Sequence, residues 1–135
     1  MATITANISL TNDIASSSVS INQPMTLFKP GVEEGMDTMT SVSKVLTSTN
    51  QVDLITAASV SETHNYVYIA NPSTDPAEYI HVGIGNAGGG TPTDTEEIGR
   101  LYAGDFMFTP WDVDDDICIA PSVSTAMTVE YMVFS

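Results

Sequence analysis

The chain opens on strict alternation. Ile4, Ala6, Ile8 and Leu10 fall on one side, and Thr3, Thr5, Asn7 and Ser9 on the other. A period of two marks a half-buried β-strand, because successive side chains point to opposite faces. Residues 1–12 therefore predict an N-terminal strand or extended arm. Thr11-Asn12-Asp13 supplies turn formers. The alternation resumes at Val19 and Ile21, Pro24 precedes Met25-Thr26-Leu27-Phe28, and Pro30-Gly31 ends the run.

Residues 31–50 are mixed. Met36, Met39, Val42 and Val45 recur at helical spacing, yet the stretch is crowded with Thr and Ser, which weaken helices. It reads as strand or irregular chain, with a short helix as the alternative. From residue 51 the β pattern strengthens. Val52, Leu54 and Thr56 alternate with Asp53, Ile55 and Ala57. His64–Ile69 and Glu78–Ile84 flank Asn71-Pro72-Ser73-Thr74-Asp75-Pro76, a loop rich in turn formers that predicts a hairpin. Pairing residue 70 with 77 sets Tyr68 against Tyr79, Tyr66 against His81, and Val67 against Ile80. One face is then aliphatic and the other aromatic.

Gly85–Thr93 reads as a surface loop; it lacks the Gly-Lys-Ser/Thr of a phosphate-binding loop. Ile98, Arg100 and Tyr102 share one face, with Gly99 and Leu101 on the other. Phe106-Met107-Phe108 and Ile117–Ala120 are short strands. Met127, Val129, Tyr131 and Val133 alternate with Thr128, Glu130, Met132 and Phe134. That last strand is apolar on nearly both faces, so it belongs in the middle of a sheet or under a neighbouring subunit. About nine or ten short strands punctuated by turns predict an all-β fold, an antiparallel β-sandwich or jelly roll. No domain boundary is visible, and residues 1–135 read as one domain.

Composition agrees with a sheet protein. The chain is 42% hydrophobic but only 15% charged. Solubility falls to 14 Ser and 17 Thr, and Thr is itself a strand former. Lys29, Lys44 and Arg100 face 17 acidic residues, for a net charge of −14. Phosphate recognition needs Lys and Arg, so neither nucleic acid nor an anionic membrane is an expected partner. The N-terminus has no basic segment followed by an apolar one, and no apolar run is long enough to span a bilayer. Cys118 stands alone in Asp116-Ile117-Cys118-Ile119-Ala120. It reads as a small buried hydrophobe, and an unpaired thiol fits folding in a reducing cytoplasm.

Candidate chemistry is sparse. Asp112, Asp114, Asp115 and Asp116 crowd one loop, and alternate Asp residues can ligate Ca²⁺. Counted from Asp112, however, the sixth position is Ile117 and the twelfth Val123, so the EF-hand pattern is absent. A solvated acidic turn is the plainer reading, with a weak ion site as the alternative. His64 and His81 share a face in the hairpin register, where Glu62 is the nearest third metal ligand; the plainer reading is a polar aromatic surface against a neighbouring subunit. No Gly-x-Ser-x-Gly elbow occurs, and no carboxylate pair stands out. Trp111 and the tyrosines are candidates for stacking on sugars, against core or rim packing for Trp111. No catalytic residue, metal ligand or cofactor is assigned, and the chain reads as non-enzymatic.

The C-terminal third carries a resemblance. Leu101-Tyr102-Ala103-Gly104-Asp105-Phe106, then Pro110, Ile117-Cys118-Ile119-Ala120 and Val129-Glu130-Tyr131-Met132-Val133-Phe134 resemble small structural proteins of tailed bacteriophages. The opening Met1-Ala2-Thr3-Ile4 agrees in style. The resemblance implies a jelly-roll module of the virion, such as a capsid decoration (cement) protein that sits as a homotrimer on the major capsid protein outside the head. No extended arm is evident beyond residues 1–12, which departs from that pattern. A tail- or fibre-associated module contacting a host-surface glycan is the alternative, and a small cupin-like enzyme the third possibility.

Overall fold

The computed structural model describes residues 3–12, 20–60, 62–85 and 96–135. Within them the regular structure is β throughout, apart from one 3-10 turn at Ala57–Ser59. The chain divides into two compact units, residues 1–38 and 39–135, a division that the run of strands and turns does not mark.

In the first unit β1 (Thr5–Thr11) and β2 (Ser20–Thr26) form an antiparallel ribbon, with Leu10 opposite Ile21 and Ala6 opposite Met25. Register therefore gathers Ala6, Ile8, Leu10, Ile21 and Met25 on one side. Beyond the ribbon, Leu27 N–H donates to Ile4 O (3.0 Å), Met36 N–H to Leu27 O (2.8 Å) and Ile4 N–H to Met36 O (3.1 Å). Leu27 and Met36 are buried. Lys29 pairs with Glu34 (3.1 Å) and Asp37 (3.5 Å).

The second unit contains β3 (Met39–Leu46), β4 (Val52–Ile55), β5 (Asn65–Ala70), β6 (Tyr79–Ile84), β7 (Glu96–Tyr102), β8 (Phe106–Trp111), β9 (Ile117–Pro121) and β10 (Met127–Phe134). One sheet has the order β3-β10-β5-β8 and the other β4-β9-β6-β7. The first strand of the eight pairs with the last, the second with the seventh, the third with the sixth and the fourth with the fifth. That nesting is a long hairpin rolled into two sheets, the jelly roll. The core draws on both sheets: Val67, Ile69, Met127 and Val129 from one, Ile80, Val82, Ile117 and Ile119 from the other. β10 is central in its sheet, as its two apolar faces require. The stretch 31–50 resolves into the strand β3, not a helix, because Val42 and Leu46 face inward against Tyr131 and Met127.

The hairpin expected between residues 64–69 and 78–84 is not formed. β5 pairs with β10 and β8, while β6 pairs with β9 and β7. The intervening loop carries the chain from one sheet to the other, so Tyr68 does not face Tyr79, nor Tyr66 His81. The aliphatic-in, aromatic-out alternation along β5 does hold. Its physical reason is burial: both strands carry apolar core residues, and stacking them across the core covers those faces better than edge pairing does.

Asn71 fixes that crossing. Its side chain is buried, and its Nδ2 donates to Leu101 O (3.1 Å) while its Oδ1 accepts from Ser73 N–H (3.1 Å). Its backbone N–H donates to Asp105 O (3.0 Å), and its carbonyl accepts from Gly104 N–H (2.9 Å). The β5–β6 crossover is thereby locked to the β7–β8 turn. Gly104 sits there at φ 81, a conformation that costs a side chain strain. The Leu-Tyr-Ala-Gly-Asp-Phe segment is thus a structural turn.

Both edges of the β3-β10-β5-β8 sheet are blunted. β8 carries Pro110, which has no N–H to offer. On β3, Lys44 pairs with core-facing Val129 and reaches inward, its Nζ donating to Asp53 O (3.2 Å) on the facing sheet. Inward charges on an edge discourage strand addition.

Two substitutions test the crossover. Asn71→Ala strands the Leu101 carbonyl and the Ser73 amide, and should lower unfolding free energy by about 2–3 kcal/mol. Gly104→Ala meets no neighbouring atom, so its cost is backbone strain alone, about 1 kcal/mol. Urea unfolding with unchanged m-values checks both.

Candidate interaction surfaces

The two sheets present outer faces of opposite character. Register places Tyr66, Tyr68, Phe106, Phe108, Met132 and Phe134 together on the outside of the β3-β10-β5-β8 sheet. Tyr66 stacks on Phe108 with ring centroids 5.5 Å apart, Tyr68 tilts over Phe106 at 5.6 Å, and Phe108 meets Phe134 edge-on at 6.1 Å. Cross-strand aromatic pairs of this kind contribute roughly 0.2–1 kcal/mol each. Phe106 nevertheless stays 61% exposed and Met39, at the same face's far corner, 56%. The one carboxylate that register puts on this face is Glu130.

The other outer face is polar. Tyr79 is opposite Tyr102 and His81 opposite Arg100. Glu97 Oε1 accepts from Arg100 Nε at 3.0 Å, and Glu97 Oε2 lies 3.2 Å from His81 Nδ1. The guanidinium sits 5.4 Å from the Tyr79 ring centroid, close enough for a cation–π contact. The Arg100 hydrogen bond holds the Glu97 carboxyl below the usual range; partial desolvation opposes this, and His81 adds to it. Beside this cluster a hollow lined by Gln51, His81, Gly83, Glu97 and Cys118 encloses about 10 Å³, room for one water at most. The Cys118 thiol is buried there, donating to Gly85 O and lying 3.2 Å from Asp53 Oδ1.

A larger opening of about 390 Å³ lies between the sheets, lined by Leu54, Ile55, Val60, Tyr131 and Val133 with Thr40 and Ser59 at its rim. It combines an apolar wall with hydroxyls.

The two histidines are not brought together. His64 precedes β5 and packs edge-on against Tyr66 at 5.2 Å, whereas His81 lies on β6 in the other sheet. The shared face expected for them came from the hairpin that does not form. Of the acidic loop, Asp116 turns into the fold, and its Oδ1 accepts from Ala57 N–H at 2.7 Å. Asp112 Oδ1 accepts from Asp114 N–H at 3.5 Å, and Val113 takes a positive φ of 67. Among the described residues, no three His, Cys, Asp or Glu side chains are grouped to hold a metal ion. Trp111 is core: it is buried, and its Nε1–H donates to Asp115 O at 2.9 Å. It is not placed to stack on a sugar. The glycine-rich segment expected as a surface loop lies, from residue 86 onward, outside the described residues. No described helix is long and apolar enough to cross a membrane.

Sequence reasoning missed the clustering of Phe106, Phe108 and Phe134 with the β5 tyrosines. Each shows as an outward alternate position, but only the order of strands makes them neighbours.

No family model and no curated protein matches the chain. Among solved structures, the Yersinia pseudotuberculosis-derived mitogen is similar at a TM-score of 0.44 and 12% identity, over 71% of this chain and 84% of that one.

Trp111→Ala should destabilise the protein by about 3–5 kcal/mol through the cavity it leaves, seen as a lowered midpoint in denaturant. For Glu97, a folded pKa below the unfolded value near ~4.3 means that its pairing adds stability above that value and loses it as pH falls through the folded pKa. A carboxyl-detected NMR titration should show the Glu97 midpoint depressed in the native chain and shifted upward in Arg100→Gln; an unmoved midpoint would assign the depression elsewhere.

Proposed function

We propose that this is a non-enzymatic structural protein of a bacteriophage virion, a capsid decoration module that assembles as an oligomer, a homotrimer, on the major capsid protein outside the head. The observation that carries the reading is the aromatic outer face of the β3-β10-β5-β8 sheet. Charge-poor aromatic surface is the composition of the buried centre of protein interfaces. It lies on a chain of net charge −14, which keeps a crowded surface module soluble and discourages contact with packaged nucleic acid. The jelly roll supplies a rigid, closed scaffold for that face. The resemblance of residues 101–134 to small phage structural proteins directs the reading to the virion.

A second reading, a tail- or fibre-associated module that contacts a host-surface glycan, is favoured by the Tyr79–Tyr102–Arg100 cluster. Exposed tyrosine rings beside hydrogen-bonding side chains suit stacking on sugar rings.

Purified protein should co-sediment with shells of its cognate major capsid protein at a stoichiometry fixed by the lattice, and raise the temperature at which those shells break. Absence from purified particles by mass spectrometry would remove the virion reading. Glycan-array binding lost in Tyr102→Ala would establish the second reading instead.

A further inference from the structure

Two apolar surfaces keep exposed side chains, one in each compact unit. Ribbon residues Ile8, Leu10 and Ile21 are 45%, 57% and 49% exposed. The other surface is the aromatic face that carries Phe106. We infer that the β1–β2 ribbon of one copy lies, apolar side down, on the aromatic sheet face of a second copy; this rests on the oligomeric reading above and names its contact.

Three observations carry it. The first is electrostatic. With 17 acidic residues against three basic ones, two copies repel wherever their charged surfaces meet. Neither Thr5–Thr11 nor Ser20–Thr26 contains an ionisable side chain, and the aromatic face carries the single carboxylate Glu130. These are surfaces on which copies can approach without bringing carboxylates together.

The second is dimensional. Seven-residue strands span ~23 Å at ~3.3 Å per residue. The receiving strands, six residues in β5 and β8 and eight in β10, have the same reach. A two-strand ribbon matches the strands of such a face to within one residue, ~3 Å.

The third is stability. Past the Ile4–Leu27–Met36 contacts that hold one end, the ribbon is two strands, and two strands by themselves are marginal in water. An apolar side packed on aromatic rings supplies what a third strand or a covering layer provides elsewhere. A face-to-face pairing of two aromatic sheets would cover those rings but leave both ribbons bare. A ribbon-on-face contact is heterologous, because each copy gives one surface and receives on the other, and such contacts close into rings when the rotation permits. That agrees with a trimer.

The test is light scattering on size-fractionated full-length protein, with circular dichroism confirming that each variant is folded. Leu10→Glu, Ile21→Glu and Phe106→Glu should each raise the dissociation constant on the order of 100-fold, because a carboxylate would be buried unpaired. Ile98→Glu, on the exposed β7, should leave assembly unchanged. Leu10→Glu mixed with Phe106→Glu should form dimers that neither forms alone, since an intact ribbon then meets an intact face. Dissociation by Phe106→Glu with both ribbon variants still assembled would show face-to-face pairing, which overturns this inference and leaves the oligomeric reading standing. Failure of the mixture to associate would overturn it as well. A monomeric native protein would sink both.

Discussion

The nested pairing of distant strands is the constraint on which the second unit depends. β3 and β10 are its first and last strands, yet they are neighbours, and β10 fills the gap between β3 and β5. Until Met127, Val129 and Val133 arrive, one wall of the core lacks its middle. Of the four nested pairs only β6–β7 joins consecutive strands, and each pair outside it closes a longer loop. Folding that needs such long loop closures is slow for its size.

Within that frame a few polar contacts decide where the chain crosses between sheets. Asn71 ties the β5–β6 crossover to the β7–β8 turn, and Asp116 ties the segment after β4 to the start of β9. Both are buried or half-buried polar groups that would be costly unpaired. They hold the apolar layers in register and leave the outer faces free to diverge, one aromatic and one polar.

Much of this was legible in the chain. Alternation located the strands, and the two apolar faces of residues 127–134 marked a central strand. What alternation cannot express is which strand lies beside which. The segments at 64–69 and 78–84 look like a hairpin because they are adjacent, complementary and joined by turn formers. Nothing local distinguishes a turn within a sheet from a bridge between two. The grouping of His64 with His81 failed for the same reason, and the aromatic cluster stayed hidden because Phe134 meets Tyr66 only through β10. Trp111 reads as core or rim packing ahead of a sugar platform; its place opposite Asn65, on an inward-facing pair, settles it as core.

Pro110 on one edge and the inward Lys44 on the other have a consequence for growth. A sheet whose rims are open can recruit strand after strand, and polymers of that kind have no natural end. Here both rims of the β3-β10-β5-β8 sheet are blunted, and its adhesive surface is used up once covered. Contact through the face extends no hydrogen-bonded ladder, so the sheet can be sticky on its face without becoming the template of a cross-β fibre.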